Sequence, residues 1–403
     1  MTAREREIAT LSFSNEGLDR GVIEESMEPW DKTVRNWAQQ GYDTGYLDKY
    51  QFSLLPTDNV YHTLEEYPVW QDYYNTMQTV DLAKQEAGLD WDPVYRMTFR
   101  IPFACYDTEI VEDTPEYQIR RDRDGWVRKY PKNGSLITRV RQVVRDMDDW
   151  QRHKADIQAA MDKYFTQENM EKAYGPFREI AKENPVRLRI SGFFWTPRFL
   201  LDNEEQLYAY YEDEDLLHDI AQFEADVYKD QLDKILDIVT PSIVFFEEDL
   251  SGKTGPMISP ATFEEFITPY YKQVIPVLRK HGVPNVIMDT DGDFTLMIPK
   301  ILEAGLDGVL PVDVNAGVDI VKVREQFPNL KFMGGFNKLR IIDGPKAIDE
   351  ELERLKPVIA QGGCIVCTDH QAAPDTSLEN YRYYTKRLKE TVAELRNENV
   401  KIV

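Results

Sequence analysis

The chain has 403 residues, 42 % of them hydrophobic and 12 % aromatic, enough to bury a sizeable core in one large domain or two ordinary ones. Its 71 acidic residues against 48 basic ones give a formal charge of −23, a field that repels phosphate backbones and anionic lipid and sets aside nucleic-acid and membrane-surface roles. Cys105, Cys364 and Cys367 form no disulfide framework, and neither a signal core nor a membrane-length apolar run is evident, so a soluble cytoplasmic protein is expected.

The first 180 residues are irregular and rich in Trp, Tyr and charge. Within them "VYRMTFRIPF" reads as a strand, and "YQIRRDRDGWVRKY" reads as a hairpin turning at Asp124-Gly125. From Val186 the pattern becomes regular. "VRLRISGFF" is a strand, Asn203 to Val239 a helix with a charged face, and "SIVFFEED" a strand. Ser259-Pro260 supplies an N-cap and first-turn proline for a helix to His281. "NVIMD" is a strand, and Phe294 to Ala304 is a helix stopped at Gly305. Then come the strand "GVLPVD", a helix over Val318 to Gln326, the strand "LKFMGGF" and a helix over Pro345 to Gln361. "CIVCTDH" is the last strand, and Ser377 to Asn397 forms the closing helix.

Strands alternating with helices imply parallel strands and crossover helices. No Gly-rich phosphate loop follows the first strand, and polar clusters recur where strands end: "EED", "DTDGD", "PVD", "GGFN" and "TDH". Barrel enzymes place their sites at that end. The expected fold is therefore a (β/α)8 TIM barrel in a single domain over residues 1–403. Residues 1–180 would form a helical and hairpin extension with the first barrel elements, and 186–397 the regular units.

The aspartate triplet Asp289, Asp291 and Asp293 is no calcium loop, because its glycine is fourth and its twelfth position is Lys300. Asp293 reads as a cap for the following helix. Asp289 and Asp291, two apart on an extended segment, point the same way and repel unless a proton or cation intervenes. His370 ends another strand and would complete a facial set with them. From spacing alone, solvated acids and metal ligands both remain open. Cys364 and Cys367, three apart on a strand, face opposite sides and read as buried, inert thiols. His62, His153, His218 and His281 are expected at the surface. Glu248 and Asp249 end a strand at the same mouth and are candidates for substrate contact or for protonating a leaving oxygen; a capping or salt-bridged role fits them equally.

"SGFFWTPRFLLDNEEQLYAYYEDEDLLHDI", "GPMISPATFEEFITPYYKQVI", "MDTDGDFTLMIPKILEAGLDGVLPVD", "KFMGGFNKLRII" and "GGCIVCTDHQAAPDTSLENYRYY" together resemble the uroporphyrinogen decarboxylase superfamily. The resemblance covers most of Val186 to Leu388 and, more faintly, "WDKTVRNWAQQGY" and "DMDDWQRHKADI". It implies a barrel and one of two activities: metal-free decarboxylation of a porphyrinogen, or methyl transfer involving a corrinoid protein, with zinc held by a His-x-Cys pair and a later Cys. Carried over by position, the ligand set becomes Asp289, Asp291 and His370. None of the three identities is kept, yet each substitute is a competent ligand.

The decarboxylase arm fits poorly, since no "QAGR"-type arginine segment is found and Glu248, Asp249, Asp289, Asp291 and Asp313 would repel a polycarboxylate. Carboxylate and imidazole ligands leave a harder, more Lewis-acidic metal suited to oxygen. The expectation is a Zn2+-dependent methyltransferase acting on a methoxylated aromatic. It would pass the methyl group to the reduced corrinoid carried by a partner protein. The alternatives are a metal-independent lyase and a non-catalytic binding protein. The reading also admits a homodimer.

Overall fold

In the computed structural model, residues 1–13, 17–25, 27, 29–43, 76–77, 91–103, 105–133 and 137–394 are described. Fourteen strands are assigned among them: β1 Thr76–Met77, β2 Tyr95–Thr98, β3 Glu109–Asp113, β4 Tyr117–Arg121, β5 Val127–Pro131, β6 Thr138–Arg141, β7 Val186–Ser191, β8 Ile243–Glu247, β9 Ser251–Gly252, β10 Gly255–Pro256, β11 Val286–Asp289, β12 Gly308–Leu310, β13 Lys331–Met333 and β14 Cys364–Ile365. Seven of them, β2-β7-β8-β11-β12-β13-β14, pair in parallel and in sequence order, and β1 adds antiparallel to β2. This curled sheet with helices on its outer face is the expected TIM-barrel-like fold.

Two-residue alternation decides what lines each face. Val186, Leu188 and Ile190 of β7, with Val244 and Phe246 of β8, join the large core packed against the helices. Ile243, Ile287, Leu310, Met333 and Ile365, one from each of five strands, form a separate small cluster with Leu11 and Val22. That second cluster is the inside of the barrel, floored by the N-terminal helix Ala3–Leu11 and the segment after it.

The floor is fixed by charge. Arg187 projects from the inner face of β7 and is 3 % exposed. Its Nε lies 2.8 Å from Glu7 of the N-terminal helix, and its Nη1 lies 2.8 Å from Glu24. Asp92 ties the same segment by accepting from Ile23 N at 2.9 Å and from Arg20 at 2.7 Å.

The strand and helix order matches the sequence pattern, with differences at the ends. The long helix expected over Asn203 to Val239 breaks at Asp213 into Asn203–Glu212 and Glu214–Ile238. The helix capped by Ser259 breaks at Ile267 into Pro260–Phe266 and Thr268–Lys280. The hairpin forms as expected, with Gly125 at φ +82°, but as the centre of a four-stranded antiparallel sheet, β3-β4-β5-β6. No helix among the described residues is long and apolar enough to cross a membrane.

Replacing Arg187 with Met should leave Glu7 and Glu24 buried without their cation and cost about 3–5 kcal/mol of unfolding free energy. Denaturant midpoints with unchanged slopes would check this.

Candidate active site

The inner faces of β7, β8 and β11 each carry a charged side chain near the mouth: Arg189, Glu247 and Asp289. Arg189 Nη2 lies 2.8 Å from Glu247 Oε1 and 2.9 Å from Asp289 Oδ2, and Arg189 Nε lies 3.1 Å from Glu247 Oε2. Asp289 is buried and Arg189 is 47 % exposed, so the arginine reaches the solvent-filled mouth while the aspartate sits beneath it. Burial pushes Asp289 from its ordinary 3.8 up to about 7; Arg189 pulls it back, and the charges on Glu247, Asp249 and Asp291 add to the rise.

Asp291 follows on the next turn. Its Oδ2 lies 3.6 Å from Nε2 of His370, and its Oδ1 is buried without a hydrogen-bond partner. The turn is held by contact with the β9–β10 hairpin. Gly292, at φ +78°, lies so close to Gly252 that a Cβ would come within 2.6 Å of the Gly252 carbonyl oxygen, and Asp293 N donates to that oxygen at 2.9 Å. Asp293 is a cap, accepting from Thr295 N at 3.0 Å. The His370 ring stacks with Trp30 at 6.3 Å between centroids and 26° between planes.

Asp249 sits at φ +45°, and its carbonyl accepts from Arg198. Burial raises its carboxyl above the usual range, and the charge on Asp291 adds to this. Its proximity to Asp289 and Asp291 keeps it among the groups of the mouth.

Glu248 requires correction as a substrate-contacting residue. It is fully buried and points away from the barrel interior. Its carboxylate accepts from the backbone N–H groups of Phe193, Phe194 and Trp195 at 3.0, 2.7 and 3.0 Å, and from the Tyr271 hydroxyl. Burial pushes it up to about 7 against the pull of those four donors. Glu248 therefore anchors the loop after β7. It lies against Gly192, where a Cβ would come within 2.1 Å of its carboxyl carbon.

Other strand-end polar residues are structural. Asp313 accepts from Asn315 N at 3.0 Å and Ala316 N at 3.2 Å, and Asn337 accepts from Leu339 N at 3.0 Å. Asp369, which the sequence reading passed over for its neighbour His370, accepts from Val314 N, Asn315 Nδ2 and Lys338 N and so braces three successive loops. Cys364 and Cys367 are buried and in no disulfide, as expected. His153, expected at the surface, is buried, with Nδ1 2.9 Å from the Tyr106 hydroxyl. His62 lies outside the described residues.

Among the described residues the mouth thus gathers four carboxylates (Glu247, Asp249, Asp289 and Asp291), the His370 imidazole and the Arg189 guanidinium, with Arg198 beside Asp249, at the C-terminal ends of parallel strands. A profile of the uroporphyrinogen decarboxylase (URO-D) family matches residues 138–391. The chain belongs to the uroporphyrinogen decarboxylase family. A solved methyltransferase from Methanosarcina mazei shares the fold, with a TM-score of 0.54 at 12 % identity over 98 % of each chain. A putative vitamin-B12-independent methionine synthase from Listeria monocytogenes also aligns, with a TM-score of 0.35 and 13 % identity over 57 % of this chain and 68 % of that one. No curated protein sequence matches.

Gly192→Ala should force the Glu248 anchor apart and destabilise the fold by about 1–3 kcal/mol, read from denaturant midpoints. Asp289 has its folded pKa raised to about 7, so its contribution to stability is complete below its ordinary 3.8 and lost as pH rises through 7. In chelator-treated, metal-free protein Asp289→Asn should therefore gain on the wild type between pH 5 and pH 8, measured by unfolding midpoints at both values.

Proposed function

We propose that this chain is the methyltransferase component of a corrinoid-dependent O-demethylase. It would take the methyl group of a methoxylated aromatic and pass it to the cobalt of a separate corrinoid protein. The observation that supports this most is the pairing of Asp291 with His370 at the strand-end mouth of a barrel of this family, at positions where the superfamily resemblance puts zinc ligands.

The donor set suits a hard divalent cation. Among the described residues four carboxylates meet the Arg189 guanidinium there, with Arg198 beside Asp249, and the buried Oδ1 of Asp291 has no hydrogen-bond donor. Asp289 is held by Arg189, and among the described residues no three His, Cys, Asp or Glu side chains are already grouped to hold a metal. Asp289, Asp291 and His370 are the proposed ligands. A zinc ion bound by them would supply Lewis acidity toward an ether oxygen. The chain's own contribution is to hold that oxygen at the mouth. Asp249 would exchange a proton with the product, and the mouth must stay open to the partner's bulky cofactor.

A second reading, a metal-independent lyase, draws on one observation: Arg189 already supplies a cation against Glu247 and Asp289. Chelation separates the two readings. Phenol release from methoxylated aromatics, supplied with reduced corrinoid protein, should stop on chelation and return with zinc. Activity that survives with no bound metal would remove the zinc reading.

Elemental analysis should find about one zinc per chain. Asp289→Ala, Asp291→Ala and His370→Ala should each lower that content severalfold, whereas Cys364→Ser and Cys367→Ser should keep it. Metal lost in both cysteine variants but retained in His370→Ala would contradict the ligand set.

A further inference from the structure

Arg189 is held by one edge only. Glu247 takes Nε and Nη2 as a two-point fork, at 3.1 and 2.8 Å, and Asp289 adds a 2.9 Å contact to the same Nη2. Two carboxylates thereby fix the plane of the guanidinium. Its remaining nitrogen, Nη1, carries two N–H donors and has no protein partner among the described residues. The side chain is 47 % exposed on the inner face of the barrel. An oriented donor pair stands free in the mouth.

We infer that Arg189 receives the substrate oxygen as it becomes an anion, and that the substrate is a neutral aryl methyl ether leaving as its phenolate. This rests on the methyltransferase reading above. In the transfer, the methyl C–O bond breaks and its electron pair stays on oxygen. The methyl carbon bonds to the cobalt of the partner's reduced corrinoid, which supplies the new pair. No proton moves in that step, so full negative charge develops on the oxygen. Preoriented N–H donors stabilise such charge without reorganising.

The surrounding acids decide between ground state and transition state. Glu247, Asp249, Asp289 and Asp291 disfavour a substrate that arrives as an anion, but a neutral ether enters without that repulsion. Arg189 then acts on charge present only as the bond breaks, the condition for raising turnover rather than affinity. Trp30, 46 % exposed and stacked on His370, offers an aromatic wall at the same mouth.

The test uses 4-nitrophenolate, coloured and ionised at pH 8, together with its methyl ether. Arg189→Gln should weaken phenolate binding about tenfold or more and leave ether affinity unchanged. Arg189→Lys, which keeps charge without the fork, should fall between. Equal phenolate affinity in the wild type and both variants overturns the inference, and Arg189→Lys alone decides if Arg189→Gln fails to fold. Across a series of aryl methyl ethers, log kcat should fall more steeply with the pKa of the leaving phenol in Arg189→Gln than in the wild type, at similar KM. Parallel lines overturn the role of Arg189 and leave the methyltransferase reading standing. No wild-type turnover, with phenolate binding still dependent on Arg189, sinks that reading and keeps the oxyanion site.

Discussion

The structure turns on two arginines that β7 places on its inner face. A guanidinium inside a barrel must be met by carboxylates, because an unpaired buried charge costs several kcal/mol. Arg187, lower on the strand, is met by Glu7 and Glu24, which brings the N-terminal helix and the segment behind it under the barrel as a floor. Arg189, one step higher, is met by Glu247 and Asp289 from the next two strands in the sheet. The lower arginine fixes the floor of the barrel and the upper one orders its open end. Residues two apart on one strand thus divide the work between fold and chemistry.

The polar residues at the strand ends divide in a similar way. Asp293, Asp313 and Asn337 are turned onto backbone N–H groups of their own loops, and Asp369 holds three loops together. Glu248 gathers four donors behind the sheet. Among the described strand-end groups, those left facing the mouth are Glu247, Asp249, Asp289, Asp291 and His370, around Arg189. That remainder holds more acidic than basic groups, and burial raises the carboxyls of Asp249 and Asp289.

Much of this was legible in the sequence. The alternation of elements after Val186, the caps at Ser259 and Asp293, and the turn at Gly125 are local signals with local causes, and they appear as read. The errors concern which way a side chain faces. In "SIVFFEED" a two-residue period sends Glu247 inward with Phe245 and Glu248 outward with Phe246, so Glu248 was assigned to the wrong side. The absence of a side chain at Gly192, just past the end of β7, is what makes room for it. Arg189 was passed over because "VRLRIS" reads as an ordinary strand until its neighbours are known. His153 shares a helix face with Trp150 and Ile157, a spacing that points to burial despite the polar residues between them.

The destination of the methyl group is the most direct test of what this mouth does. A methoxylated aromatic carrying a 13C-labelled methyl group, mixed with the protein and a reduced corrinoid protein, should place the label on cobalt as the phenol appears in equal amount. Label recovered as methanol, or phenol formed equally well without the corrinoid, would contradict the account.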